Sequence, residues 1–269
     1  MSLTETTKYY EVEPTVPVAP YLGGKIRLAK KIIARINAIE HTAYCEPFVG
    51  MGGVFFRRNI RPKAEFINDY NGEVVNLFRI LREHYPQFME VLKFQITSRR
   101  EFDRLVKIAP GSLTDLQRAA RFLYLQKTSF GGKVSGQNFG VSKDRGGRFD
   151  FTKIAPILED VYERLSGVTI ENLSFEKFIP RYDKSTTLFY IDPPYYTNED
   201  DYGKGLFKRS DFEVLNELLK GLKGRFILSL NDRPEVREIF KSFDFEEVNL
   251  KYSIAKVATN AVGELIISN

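Results

Sequence analysis

Ala43-Tyr44-Cys45-Glu46-Pro47-Phe48-Val49-Gly50-Met51-Gly52-Gly53 decides the fold of this 269-residue chain. Ala43-Tyr44-Cys45 is short and β-prone. It leads into a glycine turn at Gly50 and Gly52, where the backbone can turn tightly and come close to a ligand. Val54-Phe55-Phe56 reads as the start of a helix, and Ala64-Glu65-Phe66-Ile67 as a second strand ending at Asn68-Asp69. Another helix is expected from about residue 72 to 82. Strand, glycine turn, helix and strand in this order predict an α/β fold with a parallel sheet and right-handed crossovers.

Working outward, Ile26, Leu28, Ala29, Ile32, Ile33, Ile36 and Ile39 recur at helical spacing over residues 25–39. Residues 1–19 are polar, then punctuated by Pro14 and Pro17, and read as a loosely held arm. Further strands are expected at 168–170, 187–191 and 226–230, a helix at 210–222, and a closing hairpin of 248–252 with 265–267. Residues 86–128 look mostly helical, including 116–127. Residues 129–150 lose periodicity, with six glycines, four Lys or Arg and two acidic residues. The expected organisation is an arm at 1–19, one domain made of 20–85 and 151–269, and an insertion at 86–150.

Composition narrows the function classes. Hydrophobic residues make up 43% of the chain, enough for a substantial core, and the net charge of +5 permits a polyanionic partner. A single cysteine, Cys45, excludes an intramolecular disulfide. His41 and His84 lack metal-ligand spacing, so no metal is expected. No apolar run reaches membrane-spanning length and no charged-then-apolar leader opens the chain, so a cytoplasmic protein without membrane contact is expected.

The chemistry gathers at Asp192-Pro193-Pro194-Tyr195, at the exit of the 187–191 strand. Two prolines cannot continue a central strand, and they stiffen the backbone. They thereby aim the Asp192 carboxylate, the Pro193 carbonyl and the Tyr195 ring. Two acceptors beside a stacking surface suit a planar base with an amino group. A helix-capping aspartate in a plain turn is the other reading of this motif alone. Asp69, nineteen residues after Gly50, stands where acidic side chains hold ribose hydroxyls. Phe55 breaks the G-x-G-x-x-G pattern and no G-x-x-x-x-G-K-[ST] loop is present, which disfavours a pyrophosphate. S-adenosylmethionine, with a ribose and no phosphate, fits better.

Tyr21-Leu22-Gly23-Gly24-Lys25, the Glu46–Gly52 turn, Asn68-Asp69 and Asp192-Pro193-Pro194-Tyr195 occur in an order and spacing that resembles the Dam-type N6-adenine DNA methyltransferases. The resemblance covers 20–85 and 185–269. It implies a Rossmann-like methyltransferase sheet, an S-adenosylmethionine site and a target-recognition insertion. By position it implies that Lys25 reaches the cofactor or the base, Phe48 lies by the methionyl part, Asp69 holds the ribose and Tyr70 flanks the cofactor adenine. Tyr21, Glu46, Pro47, Gly50, Gly52 and Asp192 belong to the same implied cofactor site. Asp192 and Pro193 would accept the N6 amino group, with Pro194 fixing the turn and Tyr195 stacking on an extruded base.

Within the insertion, Lys127, Lys133, Lys143, Arg145 and Arg148 are the expected phosphate contacts of a double-stranded DNA partner, and Gln137 and Asn138 the expected readers of base edges. A solvated loop is the alternative. The segment departs from the pattern of a GATC reader, and residues 256–265 lack a basic run. The expected function is therefore adenine-N6 methylation of DNA by a monomer, in a phage, prophage or modification system. Two rivals stand beside it: methylation of an amino group in RNA or a protein glutamine, and a non-catalytic DNA-binding protein that retains the fold.

Overall fold

The computed structural model describes residues 9–21, 23–134, 136–141, 143–144, 146–197, 205–248 and 263–269. Its strands are β1 (Tyr10–Glu11), β2 (Ala43–Glu46), β3 (Ile60–Arg61), β4 (Ala64–Asn68), β5 (Thr169–Glu171), β6 (Thr187–Ile191), β7 (Arg225–Asn231), β8 (Asp244–Val248) and β9 (Glu264–Ser268). Among the described residues, seven of these form one sheet in the order β5-β4-β2-β6-β7-β9-β8. The first five run parallel, and β9 lies antiparallel between β7 and β8.

A strand covered on both faces needs an unbroken apolar run, and all five residues of β6 are buried. One sheet face packs Tyr44, Leu188, Tyr190 and Ile227 against α1 (Ala29–Ala38), α2 (Gly72–Glu83), α3 (Tyr85–Leu92), α4 (Arg99–Lys107), α5 (Asp115–Thr128) and α6 (Phe151–Arg164). The other packs Cys45, Phe189, Ile191 and Leu228 against α7 (Phe175–Tyr182), α8 (Asp211–Lys220) and α9 (Pro234–Ile239). The α/β class and the parallel strands agree with the sequence reading. The helices of 86–128 share the core of the first face, since Phe88, Leu92, Phe102, Leu105 and Leu123 belong to the same buried cluster as Tyr44 and Leu188.

Four expectations are corrected. The glycine turn is followed by a single 3-10 turn, Phe55–Arg57, and no longer helix. The chain becomes extended at Arg58, whose fully buried guanidinium must reach Glu65. Helix α1 begins at Ala29 rather than at 25, because the preceding turn sends Lys25 inward and leaves Ile26 73% exposed. Residues 9–19 are not a loose arm. β1 pairs antiparallel with β3, the Thr15 amide donates to the Phe56 carbonyl at 2.8 Å, and Val18 and Ala19 are buried. Finally, the closing hairpin pairs β8 with β9, so its first strand starts at Asp244; residues 249–252 lie outside the described residues.

Away from the strands' carboxyl ends, Glu65 holds two buried arginines. Arg58 Nη1 donates to Oε1 at 2.6 Å, and Arg164 donates to Oε2 at 2.7 Å and to Oε1 at 2.8 Å. The two guanidiniums also lie over the Tyr44 and Phe55 rings. Removing the one anion leaves two buried cations uncompensated. Glu65→Ala should therefore lower the unfolding free energy by about 3–5 kcal/mol. Loss of the exposed Lys220–Glu217 pair should lower it by less than about 1 kcal/mol. Urea denaturation of both variants checks the contrast, and equal effects would refute it.

Candidate active site

Parallel strands bring their carboxyl ends to one edge of the sheet. Glu46 ends β2, Asn68 ends β4 with Asp69 next, Asp192 follows β6, and Asn231 ends β7. From β2 the sheet extends to β4 on one side and β6 on the other, and such a divergence leaves a crevice between the strand ends. A cavity of about 310 Å³ opens there. Tyr21, Lys25, Glu46, Phe48, Gly50, Asp69, Tyr70, Asp192 and Pro194 all line it. Pro47 lines an adjoining cavity of about 190 Å³, together with Phe48, Tyr70 and Phe175. Gly52, Pro193 and Tyr195 are not in the wall of the larger cavity.

The glycines of the turn have separate tasks. Gly50 has φ +50°, and a Cβ there would stand 2.9 Å from the Tyr21 ring, so the missing side chain lets Tyr21 lie against the turn. Gly52 has φ +72° and admits the Phe56 ring. Asp69 Oδ2 accepts from the Gly50 amide at 2.8 Å, and Oδ1 from the Asn71 amide at 2.8 Å. Asn71 in turn caps α2 by accepting from the Glu73 amide. The half-buried Asp69 thus ties the glycine turn to the start of α2. Burial pushes its carboxyl up to about 6, against the opposing pull of the two N–H donors.

A tighter cluster lies at the mouth of β6. Lys25 Nζ is 2.9 Å from Asp192 Oδ1 and 2.7 Å from Glu264 Oε1, and it donates to the Tyr195 hydroxyl at 2.7 Å. The Tyr195 hydroxyl donates to Glu264 Oε1 at 2.5 Å, and Ser229 Oγ donates to Asp192 Oδ1 at 3.0 Å. Burial raises the Asp192 carboxyl to about 6, and the neighbouring Lys25 pulls it back down. Glu46, also buried, is pushed up to about 8 even though it accepts from the Tyr44 hydroxyl at 2.7 Å. Glu264 and Ser229 were absent from the sequence reading. The available signal for Glu264 was a lone carboxylate opening the apolar run Leu265-Ile266-Ile267.

The residues expected to meet DNA are dispersed. Lys127 lines the cavity, on the wall with Tyr21 and Lys25. Lys133, Asn138 and Lys143 are exposed and Gln137 is half-buried, while Arg145 lies outside the described residues. The Gln137 amide donates to the Lys133 carbonyl and the Asn138 amide to the Gly136 carbonyl. Arg148 is half-buried, and its Nη1 donates to the Ser129 carbonyl at 2.8 Å, a clasp across the base of the loop. Gln126, also missed, is fully buried. Its amide donates to the Pro20 carbonyl at 2.8 Å and the Gly132 carbonyl at 2.5 Å, joining this loop to the segment that carries Tyr21. Among the described residues, no group of three or more His, Cys, Asp or Glu could hold a metal ion, and no helix is long and apolar enough to cross a membrane.

Known proteins resemble the chain along nearly its whole length. Type II methyltransferase M1.LlaDCHI of Lactococcus lactis subsp. cremoris is 28% identical, over 94% of this chain and 95% of its own. Type II methyltransferase M.CviBI of Paramecium bursaria Chlorella virus NC1A is 25% identical, over 93% of this chain and 95% of its own. The DNA N-6-adenine-methyltransferase of Escherichia phage P1 is 26% identical, over 89% of this chain and 33% of its own. Residues 21–254, which span the cavity-lining turn, Asp69 and Asp192, match the family of D12 class N6 adenine-specific DNA methyltransferases, and the chain belongs to that family.

Proposed function

We propose that this S-adenosylmethionine-dependent adenine methyltransferase works at the crevice between β2 and β6, on an adenine flipped out of double-stranded DNA. The observation that carries this reading is the convergence of Asp192, Asp69, Glu46, Lys25 and Tyr21 on one cavity of about 310 Å³. That volume lies within the range of small-molecule sites. The cofactor supplies a methyl group already activated by a positive sulfonium. An acidic lining of Asp69 and Asp192 suits such a cation. Each Asp69 oxygen accepts one backbone amide and keeps a lone pair for a ribose hydroxyl. The residues present fit the group.

The protein's contribution is positional and electrostatic. The adenine amine is a weak nucleophile because its lone pair is delocalised into the ring. Asp192 Oδ1 takes Lys25 and Ser229, and among the described residues no hydrogen bond reaches Oδ2. That oxygen and the Pro193 carbonyl would accept the two N6 protons, favour a pyramidal amine and stabilise positive charge as it develops. Tyr195 would offset part of the stacking lost on extrusion. Lys133 and Lys143 would meet phosphates, and Gln137 and Asn138 would meet base edges. A monomer acting in the compartment that holds the DNA completes the reading.

Single substitutions test it. Asp192→Ala should abolish methyl transfer to DNA while the cofactor still binds, and near-normal turnover would remove Asp192 from the chemistry. Asp69→Ala should weaken S-adenosylmethionine binding by about 1–3 kcal/mol in calorimetry, the usual scale for charge-assisted hydrogen bonds. Unchanged affinity would leave Asp69 with only its turn-bridging role.

For DNA, Lys133→Ala or Lys143→Ala should weaken binding to all sequences alike and reduce the salt slope by about one each. Alanine at Gln137 or Asn138 should instead broaden the set of methylated sequences, read from a methylome of expressing cells. If all four variants leave both measurements unchanged, the loop is a bystander.

A further inference from the structure

Lys25 is a buried ammonium with three N–H donors, and three acceptors surround it: Asp192, Glu264 and the Tyr195 hydroxyl. One cation therefore answers two carboxylates. Glu264 is 3% exposed and opens a strand whose next three residues, Leu265, Ile266 and Ile267, are apolar. Desolvating a carboxylate there is unfavourable unless it is paired. Its location follows from strand direction. β9 is antiparallel to β7, so its first residue sits opposite Asn231, at the carboxyl edge where the parallel strands end. Glu264 is not among the residues lining the cavity; among the described residues its side-chain contacts at the site are to Lys25 and Tyr195.

We propose that Glu264 is a positioning residue for methyl transfer: by sharing Lys25 and holding the Tyr195 hydroxyl, it leaves Asp192 only partly neutralised and able to accept the target amine. The inference rests on the reading of Asp192 as that acceptor. Without the Glu264 charge, Lys25 would pair with Asp192 alone. The pair would be neutral, and the field at the amine would lose one negative charge. The Tyr195 hydroxyl would also lose its Glu264 acceptor.

The groups that face Asp192 fix the expected pH behaviour. Among the described residues these are Lys25 before α1, Glu46 on β2, Tyr190 on β6, Tyr195 through Lys25, and Glu264 on β9, while Arg57, Asp69 and Lys127 line the same cavity. Lys25 lowers the Asp192 carboxyl and Glu264 raises it. An acceptor must be ionised, so the wild-type rate should fall as pH drops through about 6. Removing the Glu264 charge takes away a raising influence and should move that acid limb to lower pH.

The experiment compares wild-type, Glu264→Gln, Glu264→Asp and Asp192→Ala full-length proteins in DNA methylation across pH, with thermal melting as the control for folding. Glu264→Gln should lower kcat by roughly 10–100-fold, the scale of losing a partner that orients a functional side chain. The KM for DNA should stay near wild type and the acid limb should shift downward. Glu264→Asp keeps the charge and should recover part of kcat with the acid limb near its wild-type position. A folded Glu264→Gln with wild-type kcat and acid limb would overturn the inference. So would loss of kcat in both variants with an unmoved acid limb and lowered melting, which marks a purely structural role. Should Glu264→Gln fail to fold, Glu264→Asp decides: a normal acid limb with reduced kcat supports the proposal, and inactivity without any change in melting overturns it. Normal turnover by Asp192→Ala in the same assay would overturn the acceptor reading itself, a result separable from any failure at Glu264.

Discussion

The ammonium of Lys25 is the point on which the site is built. A buried lysine is tolerable only when paired, and this one has a full set of acceptors. Meeting that demand draws three distant parts of the chain together: the turn before α1, the Asp192-Pro193-Pro194-Tyr195 segment after β6, and the start of β9. The same demand explains why α1 starts late. A helix running from residue 25 would have carried Lys25 on a regular turn, whereas the observed turn delivers it to the carboxyl edge of the sheet.

Around this ion pair the fold separates two kinds of charged burial. At the carboxyl edge, Asp69, Asp192 and Glu46 are all raised by desolvation and line a cavity. Groups that are shifted by burial and open to a ligand mark sites of chemistry. Glu65 with Arg58 and Arg164 is buried and lines neither of the two cavities at the carboxyl edge, and it is held by three hydrogen bonds and two aromatic faces. It binds β4, α6 and the chain after the glycine turn into one body. Both clusters are ionic, but the first is the one that lines the crevice.

Much of this was legible in the sequence because it depends on local pattern. Apolar runs gave the parallel strands, and strand ends followed by Gly50, Asp69 and Asp192 put three functional elements at one edge. What was missed depends on partners far along the chain. Residues 9–19 look polar, yet Val18 and Ala19 find a core and β1 finds β3. The apolar Val54-Phe55-Phe56 looked helical, but the pairing of Arg58 with Glu65 overrode local propensity. The basic, glycine-rich character of 127–150 and its place between the two motifs group Lys127 and Arg148 with DNA. Their places in the cavity wall and across the loop base come from tertiary contacts that no spacing rule encodes.

Strand direction supplies the last constraint. In a wholly parallel sheet, every strand begins at the edge opposite the crevice, so a residue at a strand's start cannot reach the site. Reversing β9 between β7 and β8 brings its first residue to the edge where the other strands finish. The strand is then free to be apolar along its length, with Leu265, Ile266 and Ile267 packed into the two cores, and still deliver one carboxylate to Lys25. Glu264 is hard to see in sequence for this reason. Its role is set by the direction in which its strand runs, which no motif around it records.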